Sequence, residues 1–257
     1  MQAAEQSRAP LILSIPEYGR SAVDLAVLLP AVEAAARMAR VPVAIMLDHA
    51  TTLEAAVRGI KRGCNGLMID RSDEALAENI SITNEVVEMA HGCGIPVEAE
   101  LGSVPDAKVS DGIQLTTVEE AKGFVVHTGV DFLAVSIGTA HGRIKGRLRL
   151  DSTRLRQINK ALSIPLVIHG GTGLDEAQIQ RLVANGAAKI NFFTALDEAA
   201  GSAITNQKGR FTDRTCQVSE IITSEAEKYI RWCGAAGRAA EVIIQCRPSE
   251  PLEPLII

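Results

Sequence analysis

Three histidines, His49, His141 and His169, stand where apolar runs of strand length give out into polar loops. His49 follows Leu47-Asp48, His141 follows the run 132–137 through Gly138-Thr139-Ala140, and His169 ends Leu166-Val167-Ile168. Neutral imidazoles are good zinc ligands, and three of them around one open position make a catalytic site rather than a closed structural one. Each alone is better explained by a strand-end histidine hydrogen-bonded in the core, a reading that weakens for all three together. In a parallel barrel, however, all three would converge on one rim. Asp48, beside His49, is a carboxylate that could shuttle a proton to a metal-bound substrate. Strand alternation would turn the two side chains apart unless the strand ends there. Asp48 could instead cap a turn or helix, a role Thr51 or Thr52 fills equally well. The segment His169-Gly170-Gly171-Thr172-Gly173-Leu174-Asp175 is a glycine-rich turn whose backbone N–H groups could face an anion. Asn191-Phe192-Phe193-Thr194 closes the next run and opens a helix near Ala195, so two neighbouring helix N-termini could hold one phosphate. His91 and His127 close helices just before a glycine, where a histidine meets the last carbonyls, and are read as structural.

The elements that must position these groups repeat along the chain. Seven apolar runs, Leu11–Ile15, Val43–Leu47, Gly66–Ile69, Val97–Leu101, Phe132–Ile137, Leu166–Ile168 and Lys189–Phe193, have strand length. Between them 22–39, 73–90, 118–127 and 175–184 carry apolar residues at helical spacing. Val41-Pro42, Ile95-Pro96 and Ile164-Pro165 lead the chain extended into three of the runs. Repeated βα units fit either a doubly wound sheet or a barrel. Polar residues end at least five different runs (Asp48, Asp70, Glu100, His141, His169, Asn191), whereas an open sheet gathers its site at one switch point. No G-x-G-x-x-G follows the first run. The expectation is therefore one α/β domain over 1–257, a TIM (β/α)8-type barrel lacking the first strand and most of the first helix, since residues 1–9 read as a helix tail. Unpaired barrel edges are unfavourable, so either a truncated reading frame or cover from the C-terminal segment or a second subunit is expected.

Composition bounds the partners. With 31 acidic against 26 basic residues among 257, the formal charge of -5 argues against nucleic acid. No stretch of roughly 18 apolar residues lacks charges and no signal-like apolar region opens the chain, so no membrane partner and a cytoplasmic location are expected. Five cysteines, Cys64, Cys93, Cys216, Cys233 and Cys246, form no C-x-x-C pair and read as free thiols. With 47% hydrophobic but 3% aromatic residues, the core must be aliphatic, as in helix-covered parallel sheets.

Leu47-Asp48-His49, Gly66–Asp70, Glu98-Ala99-Glu100-Leu101-Gly102, Thr128–Asp131 through Ile137-Gly138-Thr139-Ala140-His141-Gly142, Leu166–Gly173 and Lys189-Ile190-Asn191 together resemble the class II, metal-dependent ketose-bisphosphate aldolases. The Gly138–Gly142 segment is the most specific, and the resemblance runs from about Leu11 to Leu196. It implies that His49, His141 and His169 ligate a catalytic Zn2+ and that Asp48 is the acid/base on the aldehyde side. It also implies that Asp70 and Glu100 match carboxylates for a second metal position, with a monovalent cation as a further expectation. Gly142, Gly170, Gly171 and Thr172, with Asn191, Phe192, Phe193 and Thr194, match segments that hold the dihydroxyacetone phosphate moiety, and Asn191 helps place the enediolate. Lys189 is then no Schiff-base nucleophile but an inward-facing ion-pair partner.

Two departures from the family pattern stand out. The usual mobile glycine-rich loop with adjacent acids is replaced by the shorter Ser103-Val104-Pro105-Asp106-Ala107-Lys108-Val109, where Asp106 is the one obvious acidic substitute and Pro105 stiffens the chain. The other is the absent first strand. Beyond about Arg210 the tail reads as divergent from the family. The implied function is reversible cleavage of a phosphorylated ketose to dihydroxyacetone phosphate and an aldehyde, by a dimer or tetramer acting on a small sugar phosphate. The alternatives are a noncatalytic sugar-phosphate binder or a metal-dependent sugar-phosphate isomerase or epimerase.

Overall fold

A computed structural model describes residues 1–17, 25–105, 114–142, 150–206 and 210–245. Seven strands, β1 (Leu11–Pro16), β2 (Val43–Ala50), β3 (Gly66–Ile69), β4 (Val97–Leu101), β5 (Phe132–Val135), β6 (Leu166–Ile168) and β7 (Ala187–Ile190), pair all-parallel in chain order. Every residue of β3, β4 and β6 is buried, because such a sheet is covered on both faces. The X-Pro pairs end up where their chemistry suits them. Pro42, Pro96 and Pro165 cannot donate, yet their carbonyls accept the N–H of Leu11, Leu67 and Leu133 on neighbouring strands and so start three ladders. Among the described residues this is the curled βα barrel expected, one strand short of eight.

The helices are α1 (Gln2–Ser7), α2 (Leu25–Met38), α3 (Leu53–Lys61), α4 (Leu76–Gly92), α5 (Val118–Thr128), α6 (Ser152–Ala161), α7 (Glu176–Ala184), α8 (Thr194–Asn206), α9 (Phe211–Trp232) and α10 (Ala239–Gln245). Thr52 caps α3 by accepting the Ala55 N–H, which leaves Asp48 out of that role. Reciprocal capping boxes start α5 at Thr117/Glu120 and α7 at Asp175/Gln178. Four strands differ in extent from the runs read in the sequence, β1 by running on to Pro16. β2 runs on through Asp48 and His49, β5 stops at Val135, and β7 begins at Ala187 and ends at Ile190, before Asn191.

β1 and β7 are the two edges of the sheet among the described residues. Helix α9 packs on α7 and α8 at one side and on α1 at the other, so it spans the seam on the helix side. Tyr229 of α9 is buried and stacks on Phe192 with ring centroids 4.1 Å apart. Past α9, Gly237 and Ala239 donate N–H bonds to the carbonyls of Ser7 and Arg8, and Ala4, Val41 and Ala239 form a small apolar cluster there. The C-terminal segment thus packs across the helices on both sides of the seam between β1 and β7.

Candidate metal centre

Strand alternation fails at Asp48-His49 for a visible reason. The β2–β3 register shifts between Leu47 and Ala50, and His49 takes left-handed backbone at φ 51. Such a conformation costs a branched side chain about 1–3 kcal/mol and is a mark of functional positions. The irregularity lets His49 face the strand ends of β5 and β6. Its ring centroid lies 4.9 Å from that of His169 and 5.3 Å from that of His141, with His141 and His169 5.9 Å apart. Glu100 at the end of β4 joins them, and one ligand atom from each of the four lies within 4.8 Å of the others.

The groups around this cluster hold it in place. His49 Nδ1 bonds Asp70 Oδ2 at 2.7 Å, while Asp70 Oδ1 accepts the Ser72 N–H at 3.0 Å. Burial alone would lower the His49 pKa, but the Asp70 hydrogen bond and the charges of Asp48, Asp70 and Glu100 reverse this and lift it to about 9. Burial would raise Asp70, yet the bonds to His49 and Ser72 bring it down to about 2. Glu100 is buried, and burial first, then the Asp70 charge, push it up to about 7. Its Oε1 accepts from the Ser72 hydroxyl and the Val104 N–H, whereas Oε2 is buried with no hydrogen-bond partner. A buried, unpartnered carboxylate oxygen among three imidazoles suits a divalent cation with nitrogen and oxygen ligands, and zinc fits that donor set. Of the two carboxylates expected at a second metal position, Asp70 is engaged with His49 and Ser72, and Glu100 has the open oxygen.

Glu98 has a role that sequence reading missed. It is fully buried between His169 Nε2 at 2.9 Å and Lys189 Nζ at 2.9 Å. Burial opposes its charge, but Lys189 and His169 together hold its carboxyl below the usual range. The signal was present: two acids two residues apart in an apolar strand share one face. Lys189 is the ion-pair partner expected.

Asn191 Nδ2 lies 3.3 Å from His169 Nε2, so Asn191 borders the cluster. Asp48 is half-buried beside it in sequence to His49, and its Oδ1 is buried without a partner. The His141 N–H donates to the Pro105 carbonyl, which ties the β4 loop to the β5 loop, and Gly142 follows at φ 91. Asp106 lies outside the described residues.

Each of the two helix N-termini read as facing one phosphate has one amide already bonded. At α7 the Asp175 carboxylate accepts the Gln178 N–H and disfavours an anion beside it; at α8 Thr172 Oγ1 accepts the Ala195 N–H. Gly170 and Gly171 are buried, and Gly171 donates its N–H to the Asn191 carbonyl. Gly170 has φ +76, and a Cβ on it would come within 2.3 Å of the Ala140 carbonyl oxygen. Phe192 is turned into the Tyr229 stack, so only its backbone is left for a ligand; Phe193 is exposed and Thr194 opens α8. His91 bonds Asp131, and His127 Nδ1 bonds the Gly123 carbonyl one turn back, away from the cluster. Cys64, Cys93, Cys216 and Cys233 are free thiols; Cys246 lies outside the described residues.

The family model described as fructose-bisphosphate aldolase class-II matches residues 1–238. The chain belongs to the class II fructose-bisphosphate aldolase family. The match includes α9, within the tail read as divergent from about Arg210. A fructose-bisphosphate aldolase of Staphylococcus epidermidis is 34% identical over 251 residues, covering 93% of this chain and 88% of that one. One of Thermus caldophilus is 39% identical over 197 residues, covering 72% and 63%. The crystal structure of the YdjI aldolase from Escherichia coli K12 superposes with a TM-score of 0.85 at 34% identity, over 92% of this chain and 86% of that chain. Class II aldolases are metal-dependent lyases, and the His49–Glu100–His141–His169 group can hold an ion. No described helix is long and apolar enough to cross a membrane.

Proposed function

We propose that the chain is a zinc-dependent aldolase that reversibly cleaves a ketose 1-phosphate of the 1,6-bisphosphate type to dihydroxyacetone phosphate and an aldehyde. The observation that carries this is the meeting of His49, His141, His169 and Glu100 from four strand ends within 4.8 Å. Zinc bound there supplies a Lewis acid for the negative charge that develops on the ketone oxygen when C3–C4 breaks. Asp48 takes the proton of the C4 hydroxyl as the aldehyde forms and returns it on condensation; its unpartnered Oδ1 suits that exchange. Asn191 borders His169 and donates from Nδ2 to the enediolate oxygens, and the enediolate carbon takes up a proton from water to give dihydroxyacetone phosphate, while Asp48 returns the hydroxyl proton to solvent. Lys189 is committed to Glu98, which leaves carbonyl activation to the metal rather than to a Schiff base. Gly142, Gly170 and Gly171 line the phosphate side with the α8 N-terminus, whose dipole and amides favour an anion. The setting is the cytoplasm, the partner a small sugar phosphate, and the assembly a homo-oligomer.

The test combines metal analysis of the purified protein with product analysis on fructose and tagatose bisphosphates. Zinc near one per chain with dihydroxyacetone phosphate among the products is expected. Isomerised or epimerised sugar without carbon–carbon cleavage would replace this reading by the isomerase, and binding without turnover would replace it by a noncatalytic binder.

A further inference from the structure

Lys189, Glu98 and His169 form a continuous buried chain from β7 through β4 to the end of β6. Lys189 Nζ donates to both oxygens of Glu98 at 2.9 and 3.2 Å, and Glu98 Oε1 meets His169 Nε2 at 2.9 Å. The Glu98 and His169 side chains are both wholly inaccessible, and that of Lys189 is 11% exposed. We infer that Lys189 and Glu98 are positioning residues that fix His169 as the Nε2–H form and so select Nδ1 as its metal-binding atom. The inference deepens the zinc reading and rests on it.

A carboxylate held by two lysine hydrogen bonds can only accept, so the ring nitrogen facing it must carry the proton. The lone pair is then left on Nδ1. A carboxylate on the far nitrogen also makes the ligating nitrogen more basic and fixes the ring plane, which is how carboxylate–histidine pairs strengthen metal sites. His49 shows the opposite choice: Asp70 occupies Nδ1 at 2.7 Å and leaves Nε2. Two of the three imidazoles are thus assigned different donor atoms by two different carboxylates. Glu98 needs Lys189 because an uncompensated carboxylate at full burial would be expelled or neutralised.

Nitrogen-15 NMR of histidine-labelled, metal-free protein reads the tautomer directly. The His169 resonances, assigned by loss in His169→Gln, should show the Nε2–H form; an Nδ1–H form would overturn the inference whatever the metal content. Zinc affinity, measured by competition with a chromophoric chelator, should fall about 10–100-fold in Glu98→Gln. The Glu98→Gln/Lys189→Met double variant, which removes both charges together, should lose no more affinity than Glu98→Gln, because Lys189 acts through Glu98. Folded Glu98→Gln protein with parental zinc affinity would refute the positioning role. Failure of the parent protein to bind zinc would instead sink the zinc reading, with the tautomer result still deciding the assignment of His169.

Discussion

Asp70 reaches His49 Nδ1 at 2.7 Å from the end of the neighbouring strand, and His49 sits in left-handed backbone at φ 51. The hydrogen bond and the strained backbone belong together: the bulge aims the ring at the rim, and the carboxylate keeps it there. Asp70→Asn should leave the fold intact and weaken zinc binding about 10–100-fold, since outer hydrogen-bond partners of metal ligands commonly carry that much. Chelator competition checks this, and equal affinity in the variant would contradict it.

His49 and Glu100 make zinc binding pH-dependent. His49 titrates at about 9 in the metal-free protein, against 6.5 for an ordinary histidine, and Glu100 at about 7 against 4.5. Both folded values are raised, so the metal-free fold holds extra protons. The His49 contribution to stability is complete below about 6.5 and lost as pH rises through about 9; that of Glu100 goes between about 4.5 and 7. Zinc must displace these protons, so its apparent affinity should climb between pH 6 and 9 and level off above. Calorimetry in buffers of different ionisation enthalpy should register proton release near pH 7.5. No release, with an affinity flat across that window, would contradict the shift.

His141→Ala should lose zinc and aldolase activity together, because it removes one of three imidazoles. His91→Ala should change neither, as His91 is held at the surface by Asp131. Metal stoichiometry by emission spectrometry, measured beside the rate, separates the two; retention of tight zinc in His141→Ala would exclude it as a ligand.

Asp48→Asn keeps the size of the side chain and removes its basicity. Zinc and sugar-phosphate binding should survive while the cleavage rate drops by about two to four orders of magnitude. A parental rate in the variant would remove Asp48 from the proton-transfer role.

The strand-end histidines were legible because each follows an apolar run, and a parallel barrel brings all such ends to one rim. Glu100 and Asp70 were legible on the same ground. Glu98 shares the face of Glu100 by alternation, but its partners are not local: His169 and, from β7, Lys189, 91 residues on, reach it only in the fold. The position of His49 was also hidden, since the sequence shows alternation but not the register shift that breaks it. The phosphate segment was legible in outline and not in its contacts. The glycines and the two following helices were evident, but Asp175 fills one helix start and Phe192 turns into the Tyr229 stack, contacts set by tertiary packing rather than local pattern.

Gly170 is the position where that packing leaves least room. Its φ of +76 disfavours any side chain, and a Cβ would lie 2.3 Å from the Ala140 oxygen, a backbone atom that cannot swing aside. Gly170→Ala should therefore destabilise the protein by about 2 kcal/mol or more and disturb the Ala140–His141 backbone. Gly173 also has positive φ, at +91, but nothing lies within 4 Å of its Cβ position, so Gly173→Ala should cost only the backbone strain of about 1–2 kcal/mol. Urea unfolding of both variants checks the order, and equal losses would show that the contact with Ala140 yields.

Tyr229 tests how the seam between β1 and β7 is held. Its ring is 5% exposed and sits between Phe192, stacked at 4.1 Å, and Trp232, edge-on at 5.4 Å. Phe192 follows Asn191 directly, so the stack joins α9 to the chain leaving the last strand, while α9 also packs on α8 and on α1 before the first strand. Truncating a buried aromatic leaves a cavity that close packing cannot fill, and Tyr229→Ala should cost about 3–5 kcal/mol. The proposed zinc ligands lie on β2 and β4 and just beyond β5 and β6, and none of them is among the rings packed on Tyr229, so the folded variant should still bind zinc at parental stoichiometry. Asn191, one residue from Phe192, should suffer more: phosphorylated-ligand affinity should fall further than zinc affinity. A variant with parental stability by urea unfolding would show that α9 lies against the barrel without holding its open edge.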